Sequence, residues 1–393
     1  MQTRRNALAF QSKNFSVKLL LCIALSIGTE RAKAIEPIGD DSELFVTGVA
    51  SVAENDNLFL GHTHEQGASV FDATPGLSYE FGKTNSLTKG TLAAYEDFQF
   101  VSENGAGHLS QQLSNLVFAL KYDDDKNKIA ADASWHQADQ AEVGIQNVGY
   151  LVLRNLIHTD VSEEVSVTDK SSLSGAIVFD DTDYKTEGFT DWRYTEVPLS
   201  YYYKYEPKLD LSAGFRFRTN TLGTGGIDSN DYYYSVGARG EFTPSLTGEF
   251  DVGYNEAVFN GGTVVNAKNQ GGLGADSSFS YAYDTKTSIK FGFNDDYGYA
   301  ATSYAYRNYG PYIAFNTLLF EQWTANAQLA YNQYSYLTTS QRDNFYSAQV
   351  GVSYKVTLKT TLAASYTYAQ DNSNITADSF KDNLFSISAS VHF

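Results

Sequence analysis

Six histidines, His62, His64, His108, His136, His158 and His392, are the first residues whose chemistry could define a site. His62-Thr63-His64 could hold a metal ion between two imidazoles, but two such ligands are a weak set, and a solvent-exposed loop pair is the default reading. No G-x-S-x-G nucleophile motif occurs, and spacing alone assembles no Ser/His/Asp set. No enzymatic activity, metal or cofactor is therefore expected. The charged residues are more informative. Lys204, Arg216, Arg218 and Arg239, followed by Glu249 and Asp251, all fall at the polar positions of alternating segments. Facing one another across a water-filled bore, such opposed charges create a transverse field that orders water and orients polar solutes. On any wet wall the same residues form ordinary solvated ion pairs. Spacing leaves both readings open.

Segments of period two place these charges. In 209–220, Leu211, Ala213, Phe215 and Phe217 point one way, while Asp210, Ser212, Arg216 and Arg218 point the other, as in a strand with two unlike faces. In 247–255, Gly248, Phe250, Val252 and Tyr254 oppose Thr247, Glu249, Asp251 and Asn255. The pattern returns at 129–136, 289–294, 323–332 and 362–369. With 29 Tyr, 25 Phe and 31 Gly against 6 Pro, the composition favours aromatic-rich strands joined by polar loops.

Short turns at 82–86, 123–127, 168–171, 206–208, 243–245, 284–287, 319–322 and 357–359 recur at a period of about 40 residues. Longer loops alternate with them, among them 102–107, 183–191, 222–230, 260–272 and 371–381, which are rich in Gly, Asp and Asn. Eight turns and nine loops predict an all-β chain of about 18 antiparallel strands with both ends on one side. Poor alternation over 297–316, interrupted by Pro311, makes sixteen the alternative. Pro75 and Pro198 also fall in or beside strands, where a missing donor requires a strand start, a bulge or a break in the ladder. A soluble propeller repeats at a similar period but needs four strands per unit, and here each unit holds two. The expectation is a single closed antiparallel transmembrane β-barrel, because lipid offers backbone groups no partners and leaves no edge tolerable. Tyr201, Tyr203, Tyr205, Tyr232, Tyr234, Tyr366 and Tyr368 would then lie in aromatic girdles at the headgroups.

The N-terminus reads as a secretory signal over residues 1–34: Arg4, Arg5, Lys13 and Lys18 precede the apolar run 19–27, and Ala32-Lys33-Ala34 supplies a cleavage site. The run is too short for a retained membrane helix, which needs about 20 residues. A short periplasmic segment, 35–43, would lead into a barrel over 44–393. Cleavage removes six basic residues and one acidic residue, taking the formal charge from −18 to −23. A nucleic-acid partner is therefore not expected. The only cysteine, Cys22, falls inside the leader, so neither a disulfide nor a lipid anchor is expected.

The chain ends on Phe393, preceded at alternate positions by Val391, Ala389, Ile387 and Phe385, with Ser386, Ser388, Ser390 and His392 between them. This resembles the C-terminal strand signal of bacterial outer-membrane barrels, which the barrel assembly machinery recognises. The segment Glu54-Asn55-Asp56-Asn57-Leu58-Phe59-Leu60, then 69–71 and Pro75-Gly76-Leu77-Ser78-Tyr79, resembles the opening of the β-barrel porin-2 type of outer-membrane protein. The resemblance implies a barrel in the outer membrane of a Gram-negative bacterium, in contact with lipid and lipopolysaccharide. A sheet of sixteen to eighteen strands is wide enough to leave an aqueous channel. Passive diffusion of small hydrophilic solutes is accordingly the expected function, with cation preference from the acidic charge. An accessory barrel for polysaccharide export or surface anchoring is the alternative, and a rim hydrolase is a weaker one. A homo-oligomer is compatible with the pattern, since an interface strip and a lipid-facing strip look alike in sequence.

Overall fold

The computed structural model describes residues 36–37, 41–63, 65–82, 85–102, 109–141, 151–223, 226–260, 269–302, 305–337 and 339–393. The expected leader, with Cys22, lies outside them, as do His64 and His108. A two-residue strip, β1 (Glu36–Pro37), precedes β2 (Ser42–Asn55), β3 (Ala68–Phe81), β4 (Thr88–Ser102), β5 (Gln111–Asp123), β6 (Asn127–Gln140) and β7 (Val152–Thr168). Next come β8 (Ser171–Tyr184), β9 (Trp192–Glu206), β10 (Leu209–Leu222), β11 (Ser229–Thr243), β12 (Leu246–Phe259) and β13 (Gln270–Ala282). The chain finishes with β14 (Thr287–Tyr299), β15 (Ala305–Phe320), β16 (Trp323–Tyr336), β17 (Arg342–Lys355), β18 (Thr360–Ser373) and β19 (Phe380–His392). Each strand from β2 to β19 pairs antiparallel with its sequence neighbours, and β19 pairs with β2 from Leu384↔Asn55 to His392↔Thr47. The 18-stranded sheet is thereby closed. Phe393 and Val46 exchange both backbone hydrogen bonds at 2.8 Å, and β1 continues along the same edge of β2 with Glu36↔Leu44 and Pro37↔Glu43.

The sheet is inside out relative to a water-soluble protein. Its exposed side chains include Leu77, Leu116, Ile177, Leu199, Val236, Leu329 and Val350, whereas Asn220, Ser229, Asp231, Asn255, Asp343 and Asp371 are buried. Alternation sends the first set to the outer surface and the second to the interior, so only hydrocarbon outside and water inside satisfy both faces. Tyr201, Tyr203 and Tyr205 are exposed beside the short β9–β10 turn. Tyr232 and Tyr234 lie on the outer face toward the opposite rim, against Phe217 and Phe215. Strands of 13 to 17 residues exceed the about 9–11 needed to cross a bilayer, so their ends stand clear of it.

Local chemistry explains the short, periplasmic turns. Asp124 accepts the backbone N–H of Lys126 and Asn127, and Asp284 accepts those of Lys286 and Thr287, at 2.6–3.1 Å. These hydrogen bonds hold both carboxyls below the ordinary carboxylate range. The three prolines within the barrel strands β3, β9 and β15 share one solution. Pro75, Pro198 and Pro311 keep their pairing with one neighbour, as Gly48↔Pro75, Arg216↔Pro198 and Phe293↔Pro311. On the other side each ladder skips two residues, with no change of register. A proline lacks the N–H that the skipped bond requires, and of the outcomes expected from the sequence the barrel adopts the local break.

Candidate functional site: a charged constriction

The wall opens along one seam, between β13 and β14. The β13–β14 ladder contains six residue pairs, from Ala282↔Ser288 to Ser277↔Phe293, and goes no further, although both strands continue. The β14–β15 ladder runs on through thirteen pairs to Tyr299↔Ala305. The upper part of β14, from Asn294, therefore separates from β13 and leans into the lumen, while β15 stays paired with β16 up to Tyr306↔Tyr336. There Tyr299 packs with Leu222 and Ala305, against Trp192, Phe259 and Leu337, in a small apolar cluster at the extracellular mouth. The backbone N–H of Thr190, in the β8–β9 loop, donates to Ala301 at 2.8 Å. Tyr297, Gly298 and Tyr299 are all buried, so alternation fails at the top of β14, where both faces meet protein.

The leaning end of β14 brings Asp296 to the charges of β10. Arg216 Nη2 donates to Asp296 Oδ1 at 2.7 Å, and Arg218 Nη1 donates to Asp296 Oδ2 at 2.9 Å. Arg218 also donates to Asp231 from Nε at 3.0 Å and to the carbonyl of Tyr297 at 2.8 Å. Glu196 lies 3.6 Å from Arg216 and 3.7 Å from Arg218. Asn220 donates to Asp231 at 2.7 Å, and Asn255 to Asp296 at 3.2 Å. The Arg216 guanidinium sits 5.2 Å from the Tyr233 ring centre and that of Arg218 5.7 Å from Tyr194. Arg218 is 7% exposed and Asp231 2%, so these charges persist away from water only because every one is paired. Two guanidinium groups face three carboxylates, and β10 and β14 are joined across the lumen with three strands between them.

Of the six charged residues singled out from sequence, the structure brings Arg216 and Arg218 into this cluster. Arg239 lies lower, six residues along β10 from Arg216 at the level of Asp210, about 20 Å away. It pairs with Glu164 at 2.6 Å and Asp210 at 3.3 Å and stacks 3.3 Å over Tyr202. Lys204 stands opposite Asp210, and Glu249 opposite Arg239, both exposed at that lower level. Asp251 accepts Ser212 Oγ at 3.2 Å. Sequence reading missed Asp296, Asp231 and Glu196. Its only signal for Asp296 was the disturbed alternation after residue 297, and Asp231 lay at the margin of a loop. His62 Nδ1 lies 2.9 Å from the carbonyl of Ser379, and among the described residues no three His, Cys, Asp or Glu side chains converge to hold a metal.

Residues 215–393, from mid-β10 to the C-terminus, match the family described as "Putative beta-barrel porin 2". The match covers the constriction arginines and Asp296 but not the opening segments 54–60 and 69–79 on which the sequence resemblance rested. No curated protein matches the chain. Among solved structures, a BenF-like porin from Pseudomonas fluorescens Pf-5 superposes with a TM-score of 0.51 at 11% identity, covering 90% of this chain and 99% of that one. OccK2 (OpdF) of Pseudomonas aeruginosa gives 0.50 at 9% identity, covering 90% and 98%. At such identities the likeness is one of fold. The chain is a closed β-barrel that shares its fold with outer-membrane porins, and its residues 215–393 are similar to the β-barrel porin 2 family.

Proposed function

We propose that the protein is a porin-like channel for passive diffusion of small hydrophilic solutes. The observation that carries this reading is a closed wall of 18 strands, apolar outside and polar inside, narrowed by charges that meet across its lumen. Eighteen strands enclose more space than their own side chains fill. The acidic excess, −18 over the whole sequence, and the one surplus carboxylate at the constriction favour cations over anions. Lys204, Arg239, Glu249 and Asp251 would line the lower bore and tune the local potential. Phe385, Ile387, Ala389, Val391 and Phe393 form the outward row of the closing strand, an arrangement suited to recognition by the barrel assembly machinery during insertion.

The test is electrical. Purified protein in a planar bilayer under a tenfold KCl gradient is expected to give discrete conductance steps and a reversal potential of cation-selective sign. Anion-selective sign would remove the preference, and a silent membrane would remove the channel.

A further inference from the structure

The interrupted β13–β14 ladder leaves Gln270–Asp276 and Asn294–Tyr299 as facing strand edges with no ladder between them. The gap opens only six pairs above the periplasmic turn, about 20 Å along the strand, whereas crossing the bilayer takes about 9–11 residues. Part of the seam therefore lies at hydrocarbon depth, where an unserved backbone group is costly. Side chains serve it instead. Arg307 donates to the Leu273 carbonyl while gripping both oxygens of Asp295, Asp276 accepts the Asp295 N–H at 3.4 Å, and Tyr233 reaches the Gly274 carbonyl at 3.5 Å. These are replacements for a ladder whose register is already set: continuing it would face Gly274 with Asp296 and Gln270 with Ala300.

We propose that the upper edge segment of β14, Asn294–Tyr299, is a gate with two seats, and that Asp296 determines the bore by holding it in the inner one. In the lumen seat the Asp296 carboxylate is gripped by Arg216, Arg218 and Asn255, and Tyr299 is packed in the mouth cluster. In the wall seat Asn294–Tyr299 returns to β13 while β15 keeps its ladder to β16, backbone hydrogen bonds replace the side-chain ones, and the lumen widens by the volume the segment vacates. The seats exchange one set of satisfied polar groups for another, which lets two packings of one sequence lie close in free energy. A solute that competes for the two guanidinium groups, carrying a carboxylate or phosphate, would favour the wall seat by releasing Asp296.

This inference rests on the channel reading for its electrical consequence but not for its geometry. Two cysteine pairs separate the seats. Thr190→Cys with Ala301→Cys joins the loops that touch in the lumen seat, and Gln270→Cys with Ala300→Cys joins positions that meet only in the wall seat. On oxidation in vesicles both pairs are expected to crosslink, read by gel mobility. The wall-locked form should conduct about twofold or more above the lumen-locked form, with reductant abolishing the difference, and Asp296→Ala should move the unlocked channel toward the wall-locked value. Failure of the Gln270/Ala300 pair to crosslink where Thr190/Ala301 does, with wild-type conductance in Asp296→Ala, would overturn the gate. If both pairs crosslink but every form is electrically silent, the gate's geometry stands and the channel reading falls.

Discussion

Arg218 concentrates most of the constriction's chemistry in one side chain. Its three nitrogens contact Asp231, Asp296 and the Tyr297 carbonyl, and Arg→Ala would leave two carboxylates without their main partner in a site that water scarcely reaches. Breaking such a pair costs about 3–5 kcal/mol, expected as a loss of stability in urea unfolding from lipid vesicles. Arg218→Lys should recover little of it, because an ammonium is a point charge and cannot reproduce a planar fork on several acceptors. Asp284 illustrates a residue effect outside the membrane. Because backbone N–H donors depress its pKa, its contribution to the turn is complete above the ordinary value of 3.8 and is lost only as pH falls through the lowered one. The Thr287 amide should accordingly remain protected from hydrogen exchange at pH 4 and lose protection at lower pH. Loss already at pH 5 would contradict this assignment.

At the level of elements, the barrel tolerates irregularity where a residue type makes it inexpensive. Four register shifts, at Leu209/Asp210, Glu241/Thr243, Leu318/Phe320 and Ser166/Thr168, lie beside periplasmic turns, where an extra residue tightens the twist without displacing the membrane-embedded ladder. Gly240 belongs to this region. Its φ of +127° is closed to side-chain-bearing residues, and a Cβ there would stand 2.1 Å from the Lys208 carbonyl oxygen in the β9–β10 turn. Gly240→Ala is expected to destabilise the barrel by about 1–3 kcal/mol and to leave the constriction, at the other end of β11, unchanged. Lower unfolding resistance with wild-type single-channel conductance is the signature to seek. Altered conductance would mean that the two ends are coupled.

For the molecule as a whole, the decisive property is which face meets lipid. Ile387 and Ser388 are consecutive in the closing strand, Ile387 beside Val52 on the outer face and Ser388 beside Ser51 on the inner one. Ile387→Lys should cost about 2–4 kcal/mol by placing an ammonium in hydrocarbon, while Ser388→Lys should cost little and shift selectivity toward anions. Equal effects would refute the assigned sidedness. That sidedness, the strand number and the alternation of turns with loops were legible in the chain itself, because period-two patterning is a local property that a two-solvent wall imposes on every strand in turn. Phe385 to Phe393 could be assigned to the outer face with no knowledge of their partners. Arg216 and Arg218 could likewise be assigned to the inner face. What they touch was not legible: Asp296 lies 80 and 78 residues away, and its approach depends on β14 parting from β13 after Phe293. Alternation says which face a side chain takes, but contacts across a lumen depend on how far one strand leans toward another, and only the closed three-dimensional sheet decides that.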